Sequence, residues 1–200
     1  SPNLSVVAGT SEAIAQLSKQ LDEKEILNRL LPTSHAFHSH MMDSVIEPFT
    51  ALAETIVLNE PLIPIVSTVT GDWLKKEEAV NPAYWARHLR STVYFGTAAQ
   101  KLIDESYNVF IEIGPGNSAT TLTRQQAAGN PIAVIASLEK GETDQSAYYP
   151  VLKALGQLWL NGIEPNWTSF YKNEDRLRVI DLPTYSFHKK EYWVKKDVRS

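Results

Sequence analysis

Apolar positions along the chain switch between two spacings, and the switching predicts alternating strands and helices. Ser5 to Ala8 is a short β-type run closed by Gly9 and Thr10. Ser11 is placed to cap a helix with Glu12 in its first turn, and Ile14, Leu17 and Leu21 then recur at helical spacing, predicting a helix over 11–24. Asn28 to Leu31 reads as a second strand, stopped by Pro32. Met41, Met42, Val45, Ile46, Phe49, Leu52 and Ile56 restore helical spacing, with Pro48 set to kink the pattern or reset its first turn.

Ile63 to Thr70 reads as a buried strand ended by Gly71 and Asp72. Asn81 followed by Pro82 is a cap with proline at the first helical position, opening a helix that ends over Arg87 to Arg90. Val93 to Phe95 leads into a helix ending near Glu105. Val109 to Ile113 is an apolar strand running into a glycine turn over Gly114 to Asn117, followed by a short helix over Ser118 to Gln126 and a strand over Ile132 to Ile135. This order argues for a partly parallel α/β sheet with its loops gathered at the strand C-terminal edge. Tyr149 to Asn161 is an amphipathic helix with Gly162 as its cap, and Asn166 to Tyr171 is a short aromatic segment. The tail from Ile180 to Trp193 is too apolar for a disordered end and reads as an extended arm needing another surface to lie on.

Composition narrows the function classes. A net charge of −4 supplies no basic face for nucleic acid. No apolar run approaches the roughly 20 residues of a membrane span, and no secretion signal opens the chain, so a cytoplasmic protein is expected. With no cysteine, thiol nucleophiles, disulfides and thiolate metal sites are excluded. Because the chain starts almost inside its first strand, it reads as a piece of a longer protein.

The chemistry concentrates in Thr33-Ser34-His35-Ala36-Phe37-His38-Ser39-His40, which holds three of the five histidines. Imidazole titrates near neutrality, so the cluster points to proton transfer or metal binding. A metal site from His35, His38 and His40 lacks a fourth ligand, and the following helix puts His38 and His40 on different faces. Gly114-Pro115-Gly116 lacks the spacing of a phosphate loop and reads as a tight turn. Histidine as the base of a nucleophilic site is the remaining option. No Gly-x-Ser-x-Gly elbow exists in the chain, and Ser39 lacks the flanking glycines of such a turn. A base is present without its nucleophile.

Thr33 to Ser39 resembles the HAFHS signature of acyltransferase domains in modular type I polyketide synthases. Pro64 to Gly71, Asn81 to Arg90 and Phe110 to Gly116 agree with that family in order and spacing. Leu182-Pro183-Thr184-Tyr185-Ser186-Phe187 with Tyr192-Trp193 resembles the LPTYPF…YW linker that follows such domains, with Ser186 in place of the usual proline. The resemblance implies an α/β fold: the C-terminal part of an α/β-hydrolase-like acyltransferase core. By this reading residues 1–32 are the second half of an inserted ferredoxin-like subdomain. Residues 33–127 return to the core, and 128–200 hold its end and the post-acyltransferase linker. The GHSxG serine and the arginine for the malonyl carboxylate then belong to an upstream half.

Carried over residue by residue, the resemblance makes His38 the catalytic histidine. His88 matches the position whose main-chain carbonyl holds the Nδ1–H of that histidine. His35 and Phe37 match substrate-binding positions, where HAFH is the pattern associated with malonyl rather than methylmalonyl units. The implied reaction moves malonyl from malonyl-CoA, through a serine ester, to the phosphopantetheine of an acyl carrier protein, with no metal and no directly bound cofactor. The implied partners are the carrier protein, the upstream half of the domain, and a ketosynthase with its KS–AT linker, contacted by the post-acyltransferase linker. Two other readings stand beside it: a non-catalytic docking module, and a hydrolase using Ser39 or another serine.

Overall fold

A computed structural model of the chain describes residues 1–138, 148–172, 181–190 and 192–193. Two compact units emerge, Ser1–Glu164 and Pro165–Ser200. In the first, α1 (Ser11–Asp22) is followed by a 3-10 turn over His40–Met42 that runs into α2 (Asp43–Ala53). Then come α3 (Lys76–Ala79), α4 (Pro82–Arg90), α5 (Phe95–Asp104), β1 (Val109–Pro115), α6 (Ser118–Gln126), β2 (Ala133–Leu138) and α7 (Tyr148–Leu160). The second unit holds α8 (Trp167–Phe170). Among the described residues no helix is long and apolar enough to cross a membrane.

The parallel β1–β2 pair, with Val109 opposite Ala133 and Ile111 opposite Ile135, is joined through α6, so the α/β reading of this half holds. Glu112 locks the crossover. Its carboxylate accepts from the N–H of Ala119 at 3.1 Å and of Thr120 at 2.8 Å, in the first turn of α6, where the helix dipole favours an anion. Burial pushes the Glu112 carboxyl up, but the donors of Thr120 and Ala119 outweigh it and hold the group below its ordinary value of 4.5. A depressed folded-state pKa makes this stabilisation complete above pH 4.5 and lost as pH falls from there through the folded value. Glu112→Gln is expected to cost about 1–2 kcal/mol at pH 7 and to flatten the acid limb of stability, as read by urea unfolding from pH 7 to pH 3.

The core beneath these elements is built of small side chains, including Ala79, Ala86, Ala98, Ala99 and Ala154, with Tyr84, Val134 and Ile135. Tyr84, from α4, shares a hydrogen bond with the buried Ser67 hydroxyl, which also accepts from Val69 N–H at 3.0 Å. The adjoining turn is tied to α5, because Lys101 bridges Asp72 and Glu105 at 3.0 Å each and Trp73 Nε1 donates to Glu105. Gly71 sits in this turn at φ +75°, and a Cβ there would come within 2.6 Å of the Thr97 methyl. Gly71→Ala therefore combines left-handed strain with a clash, and a loss of about 2–3 kcal/mol is expected, read as a lower urea midpoint at unchanged slope.

Several expected elements differ. The helix begins at Ser11 but its cap is Thr10, whose hydroxyl accepts from Ala13 N–H. The short α3 carries no periodic apolar signal and is absent from the sequence reading. Helix α2 continues through Pro48. The three runs at 5–8, 28–31 and 63–70 form no strands; only an isolated bridge joins Val66 to Trp73. A strand exists through a neighbour's ladder, and none of the described residues supplies one here. Their apolar side chains, such as Val6, Leu30 and Ile63, are exposed. Ile113 on β1 is 79% exposed, and a cavity of about 310 Å3 is lined by Ile63, Val66, Trp73, Tyr107, Phe110 and Ile111. Of the expected arm, Ile180 and Glu191 lie outside the described residues; Leu182, Tyr185, Phe187 and Trp193 are exposed without regular structure.

Candidate active site

His38 lies in the turn before the 3-10 segment, at φ +60°. For a residue with a Cβ this left-handed conformation costs on the order of 1 kcal/mol or more, so other contacts must hold it. Two do. Its N–H donates to Leu89 O at 2.9 Å, and its Nδ1 lies 2.9 Å from Ser91 O. A carbonyl oxygen only accepts, so Nδ1 carries the proton and Nε2 keeps its lone pair on an exposed ring. That is the tautomer a general base requires.

Helix α4 supplies both acceptors for a local reason. Leu89 is in its last turn, where carbonyls lack intrahelical donors. Ser91 is its C-cap and leaves helical geometry at φ −74°, ψ 150°, which swings its carbonyl out of the helix. Here the structure corrects the expectation that the His88 carbonyl holds Nδ1–H: the acceptor is Ser91. His88 meets the site through its ring instead, edge-on to His38 with 6.4 Å between centroids, while its Nε2 lies 3.3 Å from the Thr68 hydroxyl. Ser91, Leu89 and Thr68 escaped the sequence reading; the usable signal was the unpaired carbonyls at the end of a helix capped so clearly at its start.

His35 and Phe37 precede His38 in the chain, their ring centroids 5.8 Å apart and tilted by 53°. Phe37 is 40% exposed, so its ring is not packed into the core. The His35 ring nitrogen Nδ1 shares a hydrogen bond with the Ser34 hydroxyl at 2.9 Å. His40 begins the 3-10 turn away from His38, and among the described residues no three His, Asp or Glu side chains are placed to hold a metal. Ser39 is buried, and its hydroxyl is committed twice, donating to Ala36 O at 2.7 Å and accepting from Met41 N–H at 3.2 Å. It caps the turn, and that work removes it as a nucleophile. Gly114 and Gly116 take φ of +147° and +103°, which accounts for both glycines of the turn after β1.

This arrangement provides an oriented imidazole on an exposed turn, preceded in the chain by the paired rings of His35 and Phe37. The family model of the acyl transferase domain matches residues 1–165. Over 193 residues the chain is 33% identical to the phenolphthiocerol synthesis polyketide synthase type I Pks15/1 of Mycobacterium marinum, covering 96% of this chain and 9% of that protein. The solved acyl transferase domain of ZmaA superposes with a TM-score of 0.76 at 35% identity, covering 88% of this chain and 40% of that one. The acyl transferase domain of SpnD, solved in complex with 2-(pent-4-yn-1-yl)malonyl, gives 0.75 at 30% identity, covering 81% and 43%. The chain thus spans less than half of these solved domains and a small part of the synthase. With the family model running over most of its length, the chain belongs to the acyltransferase domains of polyketide synthases.

Proposed function

We propose that this chain is the C-terminal portion of a malonyl-CoA:acyl carrier protein acyltransferase domain, and that His38 is its general base. The observation that carries the reading is the Nδ1–H to Ser91 carbonyl bond, which leaves Nε2 free on an exposed ring. In the proposed cycle Nε2 takes the proton of a serine contributed by the segment preceding this chain, as that oxygen attacks the malonyl thioester. The proton then passes to the departing CoA thiol. In the second half His38 takes the proton of the carrier protein's phosphopantetheine thiol as it attacks the malonyl-serine ester, and returns it to the serine.

Malonyl as the unit rests on Phe37, assigned to the substrate-binding position just before His38, where its ring would crowd an α-methyl group; the SpnD domain, by comparison, holds a substituted malonyl group. Residues 1–32 are assigned to the inserted subdomain and 33–127 to the core, with the end of the core and the linker beyond. The exposed β-type runs at 5–8 and 28–31 and the open face of β1 are then surfaces that the preceding half of the domain covers. The linker's exposed aromatics are assigned to contact with a ketosynthase and its KS–AT linker.

The test is intact-mass analysis of the domain extended N-terminally to the length of the solved acyltransferase chains. Malonyl-CoA is expected to add one malonyl group, which a carrier protein then removes; a domain that takes up no malonyl overturns the reading.

A further inference from the structure

We propose that the Asp43–Arg90 ion pair is a latch that positions His38 by fastening the end of α4 to the start of α2. The inference rests on the reading of His38 as the base. Among the described residues, the contacts that hold His38 come from residues 88–91: Leu89 O accepts from its backbone N–H, Ser91 O accepts from Nδ1–H, and the His88 ring meets the imidazole edge-on. Both carbonyls belong to the immediate neighbours of Arg90. On the other side, the chain leaves His38 through the Ser39 cap and the 3-10 turn and enters α2 at Asp43.

Arg90 Nε donates to Asp43 Oδ1 at 2.8 Å, which closes a ring. The ring runs from His38 along the chain to Asp43, across the ion pair to Arg90, and back through Leu89 and Ser91 to His38. His38 is in a left-handed conformation that does not hold itself, so its aim depends on how firmly the two sides are registered. Opening the ring at the ion pair lets α4's end drift from the His38 turn and takes Nε2 off the line to the serine. The pair also neutralises Arg90, whose cation stands between the two residues that hold an imidazole about to become positive. Both side chains are about half-exposed, 45% for Arg90 and 61% for Asp43, so the pair adds little to overall stability. Its effect should therefore show in turnover and not in folding. Asp43 and Arg90 touch no reacting atom; they are positioning residues.

The experiment uses the N-terminally extended domain and measures malonyl transfer to a carrier protein for Asp43→Asn, Arg90→Gln, Arg90→Lys and His38→Ala. Lys76→Gln, which removes the exposed Lys76–Glu60 pair, serves as control. Asp43→Asn and Arg90→Gln are expected to lower kcat about tenfold, with KM for malonyl-CoA within about twofold and the thermal midpoint nearly unchanged. Arg90→Lys is expected to restore most of kcat, and Lys76→Gln to match the unaltered domain. The His38 Nδ1 proton resonance should broaden by exchange in Asp43→Asn. If both neutralised variants keep full kcat while His38→Ala is inactive, the latch is wrong and the base stands. A kcat loss accompanied by a collapse of the thermal midpoint also overturns the latch, since stability then explains it. If His38→Ala transfers malonyl at the full rate, base and latch fall together.

Discussion

Replacing His38 with alanine in the extended domain is expected to lower malonyl transfer by roughly 10²–10⁴-fold, the usual worth of a general base. Both half-reactions need the same proton acceptor, so serine acylation and transfer to the carrier protein should fall together. The alternative role for His38, a structural tie between the turn and α4, predicts something different. Alanine keeps the backbone N–H that donates to Leu89 and loses the Nδ1–H to Ser91 and the edge contact with the His88 ring. A tie of that kind would show mainly as lost stability, on the order of 1 kcal/mol for one hydrogen bond, with turnover reduced a few-fold at most. Single-turnover acylation followed by mass, together with thermal unfolding, separates the two. Near-normal acylation of a well-folded His38→Ala domain would remove His38 from the chemistry.

Phe37→Ala is expected to relax discrimination against methylmalonyl-CoA. A pocket tells two acyl groups apart by one methyl with about 1–3 kcal/mol, so removing the wall should shrink the ratio of kcat/KM values by roughly 10-fold or more. The change is not expected to unfold the domain. A phenylalanine in a packed core costs about 3–5 kcal/mol when cut to alanine, whereas this ring is 40% exposed and leans on His35. Competition between malonyl-CoA and methylmalonyl-CoA for the same domain reads the ratio directly. An unchanged ratio would assign Phe37 to packing and move selectivity elsewhere in the site.

The legible parts of the fold were those written in consecutive residues. Asn81-Pro82 marked the start of α4, the apolar run from Val109 marked β1, and the glycine turn after it marked the passage into α6. The one-residue error at the start of α1 has a simple cause, since Thr10 and Ser11 are both competent caps and only the backbone angles choose between them. The runs at 5–8, 28–31 and 63–70 carry β-type composition, but a strand also requires an edge to pair with, and composition cannot supply one.

The site divides in the same way. From sequence came the His-rich turn and the absence of a serine elbow in these residues, and through the family resemblance the candidate base His38 with its neighbours His35 and Phe37. Those are properties of side-chain identity and short spacing. Which carbonyl fixes the tautomer, that Ser39 is spent as a cap, that His88 contributes a ring and not its main chain, and that Asp43 meets Arg90 were decided only by the tertiary structure. Apart from the Ser39 cap, which is made within residues 36–41, each of those depends on where the last turn of α4 arrives in space against a turn some fifty residues earlier. Packing of α2 on α4 brings these segments together, a long-range outcome that no local pattern in either segment encodes.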